Sequence, residues 1–104
     1  MTRRVRWTRA AEQDALDLYI HIGQDNPAAA EQVLRRIDQA LATILTQPGI
    51  GTRRRRYGEN VRSFPVFSYI LFYREIDDGI ELWRVIHGKR NIPRLLQHYS
   101  GEKE

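Results

Sequence analysis

The stretch VRSFPVFSYILFYREIDDGIELWRVIHGKR, residues 61–90, decides the fold. Three runs rich in β-branched and aromatic residues lie in it, Val61 to Phe64, Val66 to Glu75 and Ile80 to His87, and each has the length and composition of a strand. Pro65 separates the first two runs or marks a bulge, because proline gives a ladder no N–H. Asp77-Asp78-Gly79 predicts a tight hairpin, with Gly79 available for a left-handed conformation. A three-residue loop there sets Tyr73 opposite Trp83 and Leu71 opposite Val85, although it also faces Glu75 with Glu81. The middle run is apolar on both faces, with Val66, Ile70 and Phe72 on one and Phe67, Tyr69, Leu71 and Tyr73 on the other. That is the pattern of a central strand covered by helices on one side and by a partner on the other.

Upstream, Val5 and Trp7 alternate with Arg4 and Arg6 at the period of a short first strand. Thr8 is a natural N-cap for a helix from Arg9 to Ile22, ended by Gly23. Asn26 caps a second helix with Pro27 at its first position. Its apolar residues Ala30, Val33, Leu34, Ile37, Leu41, Ile44 and Leu45 form one stripe. Two amphipathic helices joined by so few residues lie antiparallel and need a second layer to cover them. Pro48-Gly49-Ile50-Gly51 breaks the second helix, Arg53-Arg54-Arg55-Arg56 and Tyr57-Gly58-Glu59-Asn60 read as a loop, and Ile92 to Tyr99 reads as a short helix or an extended tail. The expected fold is α+β: a two-helix antiparallel hairpin on a small, mainly antiparallel four-stranded sheet, in the order β-α-α-β-β-β. The 104 residues suit one domain, with residues 1–2 and 100–104 expected to be mobile.

With 41% of residues apolar and 29% charged, the chain can bury a core. Cysteine is absent, which removes disulfides, thiolate nucleophiles and thiolate metal sites and fits a reducing cytoplasm. No metal or other cofactor is expected. The longest apolar stretch, Val66 to Tyr73, is interrupted by Ser68 and falls short of the roughly 20 residues of a membrane span; no signal peptide is expected ahead of the fold. The net charge of +4 is uneven: residues 1–9 and 51–62 each carry +4, residues 10–50 carry −4, and residues 63–104 are neutral. Arg53 to Arg56 repel one another and stabilise nothing locally, so the run suits an anionic partner, nucleic acid or an acidic peptide.

Specific words stand in this order of elements: Val5-Arg6-Trp7-Thr8; Ala11, Asp14, Leu18 and Tyr19-Ile20; Asn26-Pro27 with Ala30; Pro48 with Gly51; Val61-Arg62 with Phe64 and Val66; Tyr69-Ile70-Leu71-Phe72-Tyr73-Arg74; and Arg84-Val85-Ile86-His87-Gly88 with Arg90. Together, from Val5 to about Leu96, they resemble a ParE-type toxin of the RelE/ParE superfamily, the toxic halves of bacterial toxin–antitoxin operons. The resemblance implies a ParD-like antitoxin that forms a hetero-oligomer with the toxin, and DNA gyrase as the target. RelE relatives instead cleave messenger RNA on the ribosome.

RNA cleavage needs a base, an acid and cations on the developing phosphorane charge. Arg62, Arg84, His87 and Arg90 are the candidates for a nuclease. His21 reads as a solvated helix residue beside Asp17 and Asp25, and His98 falls in the tail. RelE-like ribonucleases, which this chain otherwise resembles, carry a cation near the position of Ile70 and a tyrosine or histidine at the position of Leu96. Tyr99 stands three residues beyond. With those two groups apolar, the expectation is a noncatalytic toxin. Arg53, Arg54, Arg55, Arg56, Arg62 and Arg90 are the candidates to contact gyrase or the nucleic acid it holds, and Tyr69, Arg74, Trp83 and Arg84 to bind an acidic antitoxin segment. A module reading nucleic acid directly ranks last, because Trp7, Tyr57 and Trp83 fall at strand and core spacing and do not alternate with the cations.

Overall fold

The computed structural model describes residues 3–97 and Tyr99; the expected mobility of residues 1–2 and 100–104, and the tail position of His98, lie outside them. β1 (Arg4–Trp7) leads directly into α1 (Arg9–Gly23). The Thr8 side chain accepts the Ala11 N–H at 3.0 Å and donates to the Trp83 carbonyl at 2.7 Å, so one buried hydroxyl caps the helix and fastens it to the sheet. α2 (Pro27–Thr46) starts at Asn26, whose side chain accepts from Ala29 N–H. It stops at Gln47 because the residue before a proline is driven out of the helical region.

Two short 3-10 turns, Pro48–Ile50 and Arg55–Tyr57, flank β2 (Thr52–Arg53). Then come β3 (Arg62–Val66), β4 (Tyr69–Ile76), β5 (Gly79–His87) and a single-turn α3 (Ile92–Leu95). The strands form one sheet in the order β1-β5-β4-β3-β2, antiparallel except for the parallel β1–β5 pair. The helical hairpin covers one face, where Leu18, Ile37, Leu41 and Ile44 meet Val66, Leu71, Tyr73, Ile80, Leu82 and Val85.

The expected α+β architecture is therefore present, with a fifth strand added and three local differences. First, Val66 to Glu75 is not one strand. The chain runs straight through Pro65, which pairs with Ile70, and turns at Phe67-Ser68, so Val66 lies opposite Tyr69 and shares the helical face. Phe67 takes a left-handed backbone (φ 53°), a conformation unusual for a bulky residue. Second, the β4–β5 hairpin has a two-residue loop, with Ile76 opposite Gly79, and a bulge at Trp83 restores the expected Leu71–Val85 pairing. Between loop and bulge the register differs by one residue: Tyr73 faces Leu82, and Glu81 faces Arg74 instead of Glu75. The electrostatic objection to the expected loop disappears with it. Gly79 takes φ +153°, and a Cβ there would fall 1.7 Å from the Arg4 carbonyl oxygen, so only glycine lets β1 lie against β5.

Third, the arginine run is ordered. Arg54 N–H donates to the Val61 carbonyl, and Tyr57 is buried edge-on against Phe72 at 5.7 Å, which folds the segment onto the sheet. That second face is not left to a partner either. Tyr57, Val61, Phe72, Ile86 and Leu96 form a second buried cluster, packed by Ile70, Trp83, Ile92, Leu95 and Tyr99. Ile92, Leu95, Leu96 and Tyr99 of the same chain cover the face that the two-sided apolar pattern left open.

Replacing Thr8 with Ala is expected to cost about 2 kcal/mol, the upper end for an N-cap, since the Trp83 carbonyl loses its donor as well. Thr8→Ser should remain within about 0.5 kcal/mol of the parent, because both bonds run through the hydroxyl. Urea unfolding of the three proteins measures both differences.

Candidate functional site

The second face of the sheet is organised by Glu81, 1% exposed near the start of β5, between β1 and β4. Arg6 on β1 donates to it, with Nε at 2.8 Å; Arg74 on β4 donates through Nε at 3.0 Å; and the Tyr99 hydroxyl donates to the same oxygen as Arg74. Burial pushes the Glu81 carboxyl up, but the hydrogen bonds from Tyr99, Arg74 and Arg6 together outweigh it and hold the group below the usual carboxylate range. The Tyr99 ring stacks on Trp83 (4.4 Å between centroids, 13° between planes) and lies under the Arg74 guanidinium at 5.4 Å, and the Tyr99 backbone N–H donates to the Tyr57 carbonyl at 2.7 Å. Tyr99 is thereby fixed over the sheet.

Beside this network lies a cleft of about 380 Å³ bounded by Arg54, Tyr57, Ile70, Phe72, Arg90 and Ile92, among others. Its floor is aliphatic, because Phe72 and Tyr57 are buried and Ile70 and Ile92 are half-exposed. Arg54 donates through Nε to Ser63 Oγ at 2.8 Å, and Arg90 makes no side-chain hydrogen bond or ion pair among the described residues.

Next to the end of β5, a second cleft of similar volume opens between α1 and the sheet. It gathers Asp14, Asp17, His21, Tyr69, His87 and Arg90. His87 packs edge-on against Tyr69 at 5.2 Å, and its Nδ1 accepts the Lys89 N–H at 3.1 Å. Burial raises the Tyr69 hydroxyl above its ordinary value. Of the two carboxylates on the wall of this cleft, Asp14 is ion-paired with Arg84 and Asp17 accepts from Gln13 Nε2 at 2.8 Å.

A family model, the ParE toxin of the type II toxin–antitoxin system parDE, matches residues 5–92. The chain belongs to the ParE toxin family. The Sinorhizobium fredii protein Y4kP, whose name describes it as a toxin, is 29% identical over 94 residues, covering 90% of this chain and 97% of that one. Two solved structures share the fold: a chain from the chromosomal ParDE system of P. aeruginosa (TM-score 0.69, 19% identity, 83% of this chain and 96% of that chain) and one from the RelBE2 toxin–antitoxin complex of Mycobacterium tuberculosis (TM-score 0.60, 24% identity, 84% and 99%).

In this ParE-family chain the four nuclease candidates do not converge. Arg62 donates to the Gly51 carbonyl at 2.8 Å and the Gly49 carbonyl at 3.2 Å, on the edge away from β5. Arg84 clamps Asp14 with two bonds of 2.7 and 3.0 Å, a pairing that raises its pKa, while Asp14 also accepts the Val85 N–H at 2.8 Å. That ion pair ties α1 to β5. His87 and Arg90 share the acidic cleft, and Arg90 reaches the aliphatic one as well. Leu96 is 3% exposed, and the Tyr99 hydroxyl is taken by Glu81.

The four antitoxin candidates split between faces. Tyr69 and Arg84 stand on the α1 side, whereas Arg74 and Trp83 lie beneath Tyr99. Of the candidates for gyrase or nucleic-acid contact, Arg53, Arg55, Arg56 and Arg90 are exposed and make no side-chain hydrogen bond or ion pair among the described residues. Sequence reasoning missed the Glu81 network. The available signal was the like-charge clash of Glu75 with Glu81, which a one-residue register shift relieves by bringing Arg74 opposite.

Glu81→Ala is expected to cost about 3 kcal/mol, the low end for a broken buried pair, because both guanidinium groups keep some water. Since the folded carboxyl is held below its unfolded value, its contribution is complete above the unfolded pKa of roughly 4.3 and fades as the pH falls through the folded value. Urea midpoints between pH 7 and pH 3 should therefore fall more steeply for the parent than for Glu81→Gln.

Proposed function

We propose that this type II toxin arrests growth by poisoning DNA gyrase without catalysing a reaction, and that a ParD-like antitoxin neutralises it. The observation that carries the reading is the aliphatic floor at Ile70. Where a ribonuclease of this fold would need a cation and a proton donor, Ile70 and Ile92 line the cleft and Leu96 is buried against the sheet. Arg54 and Arg90 can hold negative charge there, yet Tyr57, the titrating side chain that lines this cleft with them, is buried edge-on against Phe72, and His87 lines the neighbouring cleft that Arg90 shares. Loss of a catalytic cation or proton donor typically lowers a rate by two to four orders of magnitude. Tyr99 does not restore the missing acid, because its hydroxyl already donates to Glu81 on the sheet.

A noncatalytic toxin acts by occupying a larger machine, and the exposed arginines supply the means. Arg53 lies on the short edge strand β2, and Arg55 and Arg56 lie on the turn that follows. Held by an ordered backbone, exposed, and without a side-chain hydrogen bond or ion pair among the described residues, they form a cationic rim. Such a rim suits DNA held by gyrase or an acidic part of the enzyme, since guanidinium groups pair bidentately with phosphates and carboxylates alike.

The test is supercoiling and DNA cleavage by purified gyrase in the presence of the toxin. The expected result is inhibition with accumulated cleaved DNA. Changing Arg53, Arg55 and Arg56 together to Ala should weaken it at least about tenfold while leaving the unfolding midpoint unchanged. Site-specific cuts in messenger RNA on ribosomes, with gyrase unaffected, would reverse the reading in favour of a RelE-type nuclease.

A further inference from the structure

Two of the exposed arginines differ from the rest in what lies between them. Arg54 and Arg90 bound the cleft whose floor is Ile70 and Ile92 and whose far wall is Pro93. A patch built for phosphate alone has no use for a half-exposed aliphatic floor. A nucleobase would need a flat aromatic face to stack on, and neither ring in the wall offers one: Tyr57 is 7% exposed and Phe72 2%, each turned edge-on to the other. Apolar floor and cationic rim together describe a different guest, a branched aliphatic side chain with a carboxylate on either side.

The volume agrees, since about 380 Å³ admits one such side chain with its flanking backbone. The charge agrees too. Arg90 has no side-chain hydrogen bond or ion pair among the described residues, Arg54 uses Nε on Ser63, and the neighbouring Arg55 and Arg56 add positive potential. Low-dielectric surroundings at the floor strengthen each charge-assisted bond at the rim. By contrast, the residues first expected to bind an acidic segment are engaged within the fold: Arg74 with Glu81, Arg84 with Asp14, and Trp83 under Tyr99.

We propose that this cleft receives an acidic peptide segment of the antitoxin, seating one leucine-like side chain on Ile70 and Ile92 while Arg54 and Arg90 clamp the flanking carboxylates. The inference rests on the antitoxin half of the function proposed above and names the place where it acts. It also gives neutralisation a physical form, because a segment held there lies against the arginines that face gyrase and cancels their charge.

Nuclear magnetic resonance of the full chain with labelled isoleucine methyls tests it. The probes are a blocked peptide of sequence Glu-Asp-Leu-Asp-Glu, the same peptide with serine in place of leucine, and a single-stranded RNA hexamer. The leucine peptide should shift the Ile70 and Ile92 methyls saturably. The serine peptide, and the leucine peptide on an R90E variant, should bind at least about tenfold more weakly, the loss expected for one apolar contact or one charge-assisted clamp. Arg90 is exposed and makes no side-chain hydrogen bond or ion pair among the described residues, so R90E should unfold at the parent's midpoint.

Equal binding of both peptides would overturn the proposal by reducing it to charge. So would shifts by the RNA in place of the peptide, or peptide shifts confined to Ile20, which with Leu16 and Tyr19 forms the exposed apolar stripe of α1. Gyrase assays on the same preparation separate the two readings: peptide binding without gyrase inhibition sinks the poison and keeps the cleft, and gyrase inhibition without peptide binding does the opposite.

Discussion

Glu81 has lost its water on β5, between the edge strand β1 and the central β4, and an ionised carboxylate in that position is stable only if donors replace the water. The donors come from three separate parts of the chain: Arg6 from the first strand, Arg74 from the fourth, and Tyr99 from the terminal segment. One side chain thus sets several constraints at once. β1 must lie parallel to β5 in the register that brings Arg6 opposite Glu81, and the β4–β5 hairpin must shift by one residue so that Arg74 arrives on the other side. The bulge at Trp83 absorbs that shift before Leu71 and Val85, where the helical core demands a fixed pairing. Trp83 then turns its ring to the second face, where Tyr99 can stack on it.

The same logic sorts the arginines into two populations. Arg6, Arg62, Arg74 and Arg84 are anchored to carboxylates or carbonyls that join distant parts of the fold: β1 to β5, the 3-10 turn after α2 to β3, β4 to β5, and α1 to β5. Planar guanidinium forks suit these roles, since each makes directed bonds that a lysine would make less rigidly. Arg53, Arg55, Arg56 and Arg90 stand outside that framework, exposed and without a side-chain hydrogen bond or ion pair among the described residues. Clustered like charges raise the free energy of the folded chain, so an unpaired set held in place by ordered backbone is better explained by an external anion than by stability.

How far the sequence discloses this differs between elements. The helices were legible because capping and periodicity are local: Thr8, Asn26, Pro27 and the stripe from Ala30 to Leu45 each speak for themselves. The hairpin was legible in its core pairing, Leu71 with Val85, but not in its loop, since a bulge exchanges one residue of loop for one of strand without changing the pattern beyond it. Pro65 misled because it sits in β3 near the turn, where the missing N–H is tolerated, and the reversal at Phe67-Ser68 has neither the glycine nor the asparagine that announces a tight turn. The cover of the second face was hidden for another reason. Ile92, Leu95, Leu96 and Tyr99 are too few to show a period, and their role depends on where the strands place Trp83 and Phe72. The site was legible as residue types only. Arg54, Ile70 and Arg90 were each singled out, while their meeting in one cleft is a consequence of the fold.

That meeting also bears on what kind of toxin a scaffold of this shape can be. Cations alone bind a phosphodiester in its ground state as well as in its transition state, and such uniform binding does not accelerate cleavage. Acceleration needs groups that exchange protons with the reacting oxygens at hydrogen-bonding distance. Here the floor between the arginines is Ile70 and Ile92, and the nearby tyrosine is committed to Glu81, whose carboxylate would otherwise lose a donor. Freeing Tyr99 for chemistry would therefore weaken the interaction that fixes the terminal segment to the sheet. The interactions that cover the second face hold Tyr99 on Glu81, and the proposed use of the cleft between Arg54 and Arg90, holding an anionic partner, leaves them intact.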